Sequence, residues 1–284
     1  MSQYAVTGAT GHLGRLIIGD LIAGGVPAAD ITAIVRTASK ATDLAGRGVQ
    51  VRVADYTQPD ALATALAGTG TLMFVSGSEA GQRLPQHRAV IDAAQAAGVA
   101  RIVYTSLLRA STSGLPLAPE HKATEELLRA SGVPFTILRN SWYTENYTAQ
   151  LPQYLQQGAI TAAAGDGRIA AATRADYAAA AAAVLTGTGH ENTVYELGGT
   201  PFTMSDLAEA ITEVTGTKII YNAVTPAELI TILTGTGLDA GTAAFVAALD
   251  EGTARGDLDT TSTDLVTLTG RPSIPLAEAI KAAL

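Results

Sequence analysis

The sequence predicts a doubly wound, parallel α/β sheet, on three observations. Six short β-forming runs alternate with helix-patterned stretches across the first 140 residues, and such alternation builds parallel sheets with right-handed crossovers. The run Thr71–Val75 is nearly all apolar, as a strand covered on both faces should be. The first run, Tyr4–Thr7 within the opening stretch Met1–Gly14, leads into Gly8, Gly11 and Gly14 as an apolar helix pattern begins at Leu13 and Leu16, giving the order strand, glycine turn, helix.

Taken along the chain, the first helix spans about Leu13 to Ala23, Val26-Pro27 breaks it, and Ile31–Val35 is the second strand, ending on Arg36. A helical stretch near Ser39–Ala45 precedes the third strand, Val49–Val53, closed by Ala54-Asp55-Tyr56. Pro59–Leu66 reads as helix before the fourth strand, which runs into Ser76-Gly77-Ser78-Glu79. Pro85–Ala97 carries Val90, Ile91, Ala94 and Ala97 on one helical face, and Gly98 ends it. Arg101–Ser106 is the fifth strand, Glu120–Ser131 a helix, and Val133–Leu138 the sixth strand.

Beyond Arg139 the rhythm changes. Residues 140–172 hold Asn140-Ser141-Trp142-Tyr143, a short helix and a hairpin-like piece through Gly165-Asp166-Gly167. Arg174–Leu185 is an alanine-rich helix suited to close packing on a sheet, and Thr193–Leu197 a further strand. Ser205 reads as one helix cap, and Thr225-Pro226-Ala227-Glu228 as a capping box with proline in the first turn. The expected organisation is a core over residues 1–140 that also receives residues 170–200. Residues 141–169 and 201–284 form a smaller α+β lobe over the ligand edge. No repeat or long linker separates the parts.

Composition narrows the function classes. Hydrophobic residues make up 47% of 284 and charged ones 15%, enough apolar surface to offset chain entropy. The net charge of −8 comes without a Lys/Arg cluster, which argues against nucleic acid as a partner. The absence of cysteine excludes disulfides, thiolate chemistry and Cys-ligated metals. The four histidines are scattered, so no metal site is expected. There is no signal-peptide pattern at the start, and the longest apolar run, Ala178–Leu185, is too short to span a bilayer. A cytoplasmic protein without membrane association is the expectation, and oligomeric state is left open.

The glycine turn carries the first functional statement. Gly8 permits the tight turn, Gly11 leaves room for a pyrophosphate to approach the backbone, and Gly14 lets the helix lie close to the strand. The helix N-terminus adds free N–H groups and partial positive charge. This is a Rossmann-type dinucleotide site. An acid at the end of the second strand would hold the ribose hydroxyl of NAD, whereas an arginine suits the 2′-phosphate of NADP. The chain has Arg36 there, and Asp30 lies at the strand's other end, so NADP is the expected cofactor.

Further blocks make a specific resemblance. Gly8-Ala9-Thr10-Gly11-His12-Leu13-Gly14, Arg36, Ala54-Asp55-Tyr56, Gly81-Gln82-Arg83 with Pro85-Gln86-His87-Arg88, Tyr104–Leu108, Leu138-Arg139-Asn140, Trp142-Tyr143, Glu145-Asn146-Tyr147 and Ala172–Tyr177 together resemble the atypical short-chain dehydrogenases/reductases. Within them the chain is similar to the NmrA-like branch that includes type 2 NADPH:quinone oxidoreductases and triphenylmethane reductases. The resemblance covers essentially the whole chain. It implies that Gly8, Ala9, Thr10, Gly11, His12, Leu13 and Gly14 receive the pyrophosphate, that Arg36 meets the 2′-phosphate, and that Asp55 belongs to the cofactor site. It also implies that Ser76, Gly77 and Ser78 line the ribose and nicotinamide side, and that Asn140, Ser141, Trp142, Tyr143, Thr144 and Glu145 wrap the nicotinamide, with Arg174 reaching the same pocket. Structural alternatives stand beside these roles: Trp142 and Tyr143 as core aromatics, Arg174 as a partner of Asp176, and Glu79 with Arg83 as a solvated loop pair.

One departure bears on chemistry. Most short-chain reductases have a Tyr-x-x-x-Lys pair in which the lysine lowers the tyrosine pKa for protonating an alkoxide. Here Lys122 is present, but the position four before it is Ala118. Lys122 and Tyr143 are the candidate catalytic residues; Tyr104 is expected to point into the sheet, and Tyr143, Tyr147 or His121 replace the missing donor only if the fold brings them in. A quinone accepts hydride to give a weakly basic hydroquinone anion, and a cationic triarylmethane dye needs no proton. The sequence therefore favours direct, flavin-free and metal-free hydride transfer from NADPH to a flat, electron-poor small molecule. The alternatives are a dye reductase using the same pocket and a non-catalytic NADP(H) sensor like the NmrA regulators.

Overall fold

In the computed structural model, which describes residues 3–79 and 81–284, the first half alternates strand and helix as the sequence predicts. Met1, Ser2 and Ala80 lie outside the described residues. In chain order the elements are β1 (Tyr4–Val6), α1 (His12–Ala23), β2 (Ile31–Val35), α2 (Thr42–Gly46), β3 (Gln50–Val53), α3 (Pro59–Leu66), β4 (Thr71–Phe74) and α4 (Arg83–Ala96). Next come β5 (Arg101–Leu107), α5 (Ala118–Ala130), β6 (Phe135–Asn140), α6 (Glu145–Thr148), α7 (Leu151–Gln157), β7 (Ala159–Ala162), α8 (Arg174–Thr186) and β8 (Thr193–Leu197). The remainder is α9 (Met204–Thr215), β9 (Ile220–Ala223), α10 (Pro226–Gly235), α11 (Ala240–Ala254), α12 (Asp264–Thr269) and α13 (Leu276–Ala282).

The main sheet has the order β3-β2-β1-β4-β5-β6-β8, and β1 to β6 pair in parallel. Winding outward in both directions from β1 and β4 places the switch point between those two strands, where an open α/β sheet has its ligand crevice. β1, β2 and β5 are buried along their whole length, the consequence of helices on both faces. On one face Leu62, Leu66, Val90, Ile91 and Leu128 pack on Phe74, Ile102, Tyr104 and Ile137. On the other, α1 lies against α8, with Ile17, Ile18 and Leu21 buried on α1 and Ala178, Ala180, Ala181 and Val184 on α8. The small alanine side chains permit that close helix approach.

The chain divides into two compact units. The first comprises Met1–Ala110, Pro119–Asn140 and Arg174–Tyr195, and the second Ser111–Ala118, Ser141–Thr173 and Glu196–Leu284. Within the second, α10 and α11 pack around Ala163, Leu229 and Ala247. The hairpin-like reading of this region needs correction: β7 pairs in parallel with β9, because the chain passes through α8, β8 and α9 before returning. Ser205 is also displaced as a cap. Thr203 accepts the Asp206 N–H while the Asp206 carboxylate accepts the Thr203 N–H, so the box begins two residues earlier. The Thr225 box with Glu228 stands as read. No helix among the described residues is long and apolar enough to cross a membrane.

Candidate cofactor site

The site begins where β1 ends. Thr7 Oγ1 accepts the Val75 N–H at 3.0 Å, and the Thr7 N–H donates to the Met73 carbonyl at 3.0 Å, so the ends of β1 and β4 are tied at the switch point. Gly8 then turns the chain with φ at +58°, a left-handed conformation that a side chain strains. The Gly11 N–H closes the turn on the Gly8 carbonyl at 2.9 Å. At Gly14 a Cβ would stand 2.4 Å from the Gly8 carbonyl oxygen and 2.9 Å from Ala9 Cα, so only glycine admits the helix this close. Gly11 caps α1 without a side-chain hydrogen bond, and no acid stands in the first turn. Gly8, Gly11 and His12 are exposed, Thr10 is half-buried, and Ala9, Leu13 and Gly14 are buried. An exposed cradle with unclaimed helix N–H groups fits a diphosphate.

The rim is polar. Arg36, directly after β2, is exposed and donates to Glu79 at 3.0 Å. Asp55, after β3, accepts the Thr57 N–H and hydroxyl at 2.8 and 2.6 Å. Those bonds, aided by the charge of Arg36, hold its carboxyl below the usual range.

After Phe74 the chain leaves the ladder, and side chains take over. Tyr56 Oη donates to the Val75 carbonyl at 3.0 Å, Thr105 Oγ1 accepts the Ser76 N–H at 2.9 Å, and His87 Nε2 accepts the Gly77 N–H at 2.9 Å. Ser76 and Gly77 are half-buried and Ser78 exposed. Glu79 and Arg83 do not form the solvated pair read from the sequence. Arg83 is 5% exposed and binds Glu120 at 2.7 Å, because α4 turns it inward beneath the loop.

Asn140 ends β6 buried, and its Oδ1 has no hydrogen-bond partner among the described residues. A buried acceptor left unmatched is costly, and an amide N–H, such as the nicotinamide carboxamide carries, satisfies it. Arg174 opens α8 half-buried, and Lys122 is exposed on α5. In the second unit, Ser141 Oγ donates to the Leu258 carbonyl at 3.2 Å. Tyr143 bridges Ala172, the Trp142 carbonyl accepts the Ala172 N–H, and the Thr144 N–H donates to the Ala172 carbonyl. Trp142, Tyr143 and Glu145 are half-buried. Tyr147, buried on α6, packs edge-on against Phe202.

Of the substitutes weighed for the missing acid, His121 is buried against Tyr104. Tyr104 Oη and His121 Nδ1 are 2.8 Å apart and both groups are buried. Burial raises the Tyr104 pKa, and it lowers that of His121 to about 3. Sequence reading missed the roles of Arg83, His87, Glu120 and Thr124 around the Ser76–Ser78 loop. The available signal was their spacing, two pairs four residues apart on successive helices.

A glycine turn on a βα unit, at the carboxyl edge of a parallel sheet and beside its switch point, defines a dinucleotide-binding protein. A family described as NAD(P)H-binding matches residues 8–188, and the chain belongs to that family. Quinone oxidoreductase 2 of Escherichia coli (strain K12) is 49% identical over 279 residues, covering 98% of this chain and 97% of that protein. The crystal structure of an NADPH-dependent quinone oxidoreductase from Escherichia coli complexed with NADPH is similar with a TM-score of 0.95 at 48% identity, covering 98% of this chain and 99% of that one. The triphenylmethane reductase of Citrobacter sp. complexed with NADP(H) follows with a TM-score of 0.94 at 41% identity, covering 99% and 100%.

Proposed function

We propose that this protein is an NADPH-dependent reductase that passes a hydride directly to a flat, electron-poor acceptor, a quinone being the favoured class. The glycine cradle and the first N–H groups of α1 receive the pyrophosphate, and Arg36 receives the 2′-phosphate in exchange for Glu79. Ser76–Ser78 lie along the ribose side, and the Asn140 Oδ1 accepts from the carboxamide. The family resemblance adds Ser141–Glu145 and Arg174 to the cofactor residues, with Lys122 and Tyr143 as the candidates for a catalytic role. Bound NADPH supplies the hydride from C4 of its nicotinamide. The chain's own contribution is orientation and exclusion of water.

The observation that carries the choice of acceptor is the place of Tyr104 and His121. Ala118 stands where an acid tyrosine would, and Tyr104 and His121 are buried and bonded to each other. An acceptor whose reduced form is a weak base suits such a site. The names of the Escherichia coli and Citrobacter relatives support the same class, and the latter favours a cationic triarylmethane dye as the second reading. The test is NADPH oxidation with benzoquinone, a triarylmethane dye and a simple alkyl ketone. Turnover with the first or second but not the third is the expected result, and turnover with the ketone alone overturns the proposal.

A further inference from the structure

The Gly77 peptide is gripped on both sides by one helix. Its N–H donates to His87 Nε2 at 2.9 Å, and its carbonyl accepts from Arg83 Nε at 2.9 Å. Arg83 and His87 stand four residues apart on α4, hence on one face. α5 braces each with a residue of its own, again four apart. Glu120 Oε2 accepts from Arg83 Nη1 at 2.7 Å, and Glu120 Oε1 accepts the Gly81 N–H at 3.0 Å. His87 Nδ1 lies 2.9 Å from Thr124 Oγ1, whose hydroxyl donates to the Glu120 carbonyl at 2.8 Å. The directions are determined by the chemistry. An amide N–H can only donate, so His87 Nε2 is bare, the proton sits on Nδ1, and the imidazole is neutral.

The surroundings leave this ring little freedom. His87 is fully buried, with Phe74, Tyr104 and Tyr56 edge-on at 4.7, 5.6 and 6.5 Å between ring centroids. A Cβ at Gly77 would be in ordinary contact with His87 Nε2 at 3.5 Å and would lie 3.3 Å from Gln86 Oε1, which would have to give by a few tenths of an ångström. Burying a guanidinium and an imidazole under a loop costs stability relative to apolar packing. A network of this kind is retained where it specifies one geometry.

We propose that Arg83 and His87 are positioning residues for cofactor binding: together they clamp the Gly77 peptide and hold Ser76–Ser78 in the place that the dinucleotide requires. The inference rests on the NADPH reading of the cradle and is independent of the acceptor. His87 acts through Gly77 rather than by contact, so its loss weakens NADPH binding and leaves the chemical step in place.

The test compares His87→Phe, His87→Gln and Thr124→Val with the wild type. NADPH binding is titrated by its fluorescence, and KM and kcat are measured with benzoquinone. His87→Phe keeps the aromatic packing and loses the acceptor, and should raise the NADPH Kd and KM about tenfold, with kcat at saturation within about twofold. That factor corresponds to about 1.4 kcal/mol. His87→Gln offers an amide oxygen to Gly77 and should recover most of the loss. Thr124→Val frees Nδ1 and, should His87→Phe not fold, reads the same effect at about threefold. Unchanged NADPH affinity in a folded His87→Phe or Thr124→Val overturns the clamp. So does an equal loss in His87→Gln, or a fall in kcat without a change in Kd. A wild type that binds no NADPH overturns the reductase reading itself.

Discussion

Arg36 and Glu79 are joined by a hydrogen-bonded ion pair of 3.0 Å that links the loop after β2 to the loop after β4. Both side chains are well exposed, 68% and 50%, so the pair is worth at most about 1 kcal/mol. Glu79 is steadied from its other oxygen by Gln86 at 2.8 Å. A phosphate monoester carries roughly two negative charges and outcompetes one carboxylate for the guanidinium. Arg36→Ala should therefore raise the NADPH KM by about 10- to 100-fold, the range of a charged hydrogen bond, and leave the NADH KM nearly unchanged. Glu79→Gln should lower the NADPH KM a few-fold by removing the competitor. Steady-state kinetics with both nucleotides checks the pair, and a preference that survives Arg36→Ala contradicts it.

Two glycines of α1 should respond in opposite ways. A Cβ at Gly14 meets backbone atoms of Gly8 and Ala9 that cannot yield, whereas nothing lies within 4 Å of one at Gly19. Gly14→Ala should abolish measurable NADPH binding. Gly19→Ala should stabilise the fold by roughly 0.5–1 kcal/mol with activity unchanged. Thermal scans with and without NADPH distinguish them, and a Gly14→Ala protein that still gains stability from NADPH would refute the cradle.

Acid should weaken the fold through two buried histidines. His87 and His121 are both held at about 3, chiefly by burial, with the positive charge of Arg83 adding. Tyr104, Glu120, Thr124 and Glu125 also surround the pair. The unfolded chain protonates these histidines near pH 6.5 and the folded chain does not, so stability falls as pH drops from about 6.5 toward 3 and is flat above. Each histidine contributes a slope of roughly 1 kcal/mol per pH unit. Asp55 and Glu125, held low, add their losses only below the ordinary carboxylate range. Urea denaturation at pH 7, 6 and 5 measures the slope, His87→Gln should about halve it, and an even free energy across that range would exclude it.

Glu125 should be the most damaging carboxylate to remove from the first unit. Buried on α5, it accepts from Arg139 Nε and Nη2 at 2.8 and 2.7 Å and from Ser106 Oγ at 2.7 Å. Although burial pushes its pKa up, Arg139 and Ser106 outweigh that and keep it low. Glu125→Ala takes a buried carboxylate away from the Arg139 guanidinium, 11% exposed, and leaves Ser106 Oγ without its acceptor, which should cost about 3 kcal/mol, with Glu125→Gln milder. Equal stability of Glu125→Ala and wild type in a denaturant titration would refute this role of Glu125.

The central strands of the main sheet were legible because they are short runs rich in apolar residues closed by a turn or helix signal, as Thr71–Phe74 shows. The Thr225 box was legible because both partners lie within four residues. Strand β9 was not: Ile220–Ala223 is mostly exposed, and its partner β7 is 61 positions earlier in register, Ile160 facing Tyr221. The α11 segment, rich in alanine, glycine and threonine, presents too little contrast between faces to announce a helix. Arg83 misled for a related reason, since a charge beside a glycine loop is ordinarily solvated and only the crossover through β5 brings Glu120 under it.

The glycine turn, the alternation of strand and helix, Arg36 and the alanine at position 118 are local facts, and from them the sequence by itself determined the sheet, the dinucleotide and the kind of acceptor to look for. Which side chains hold the loop after β4, which carboxylate meets Arg36, and where Tyr104 and His121 point were decided only by tertiary structure. The Arg83–Glu120, Arg36–Glu79, Tyr104–His121 and Ser76–Thr105 contacts join residues 17 to 43 positions apart across parallel strands and their helices, and spacing along the chain carries no record of a register that packing alone sets.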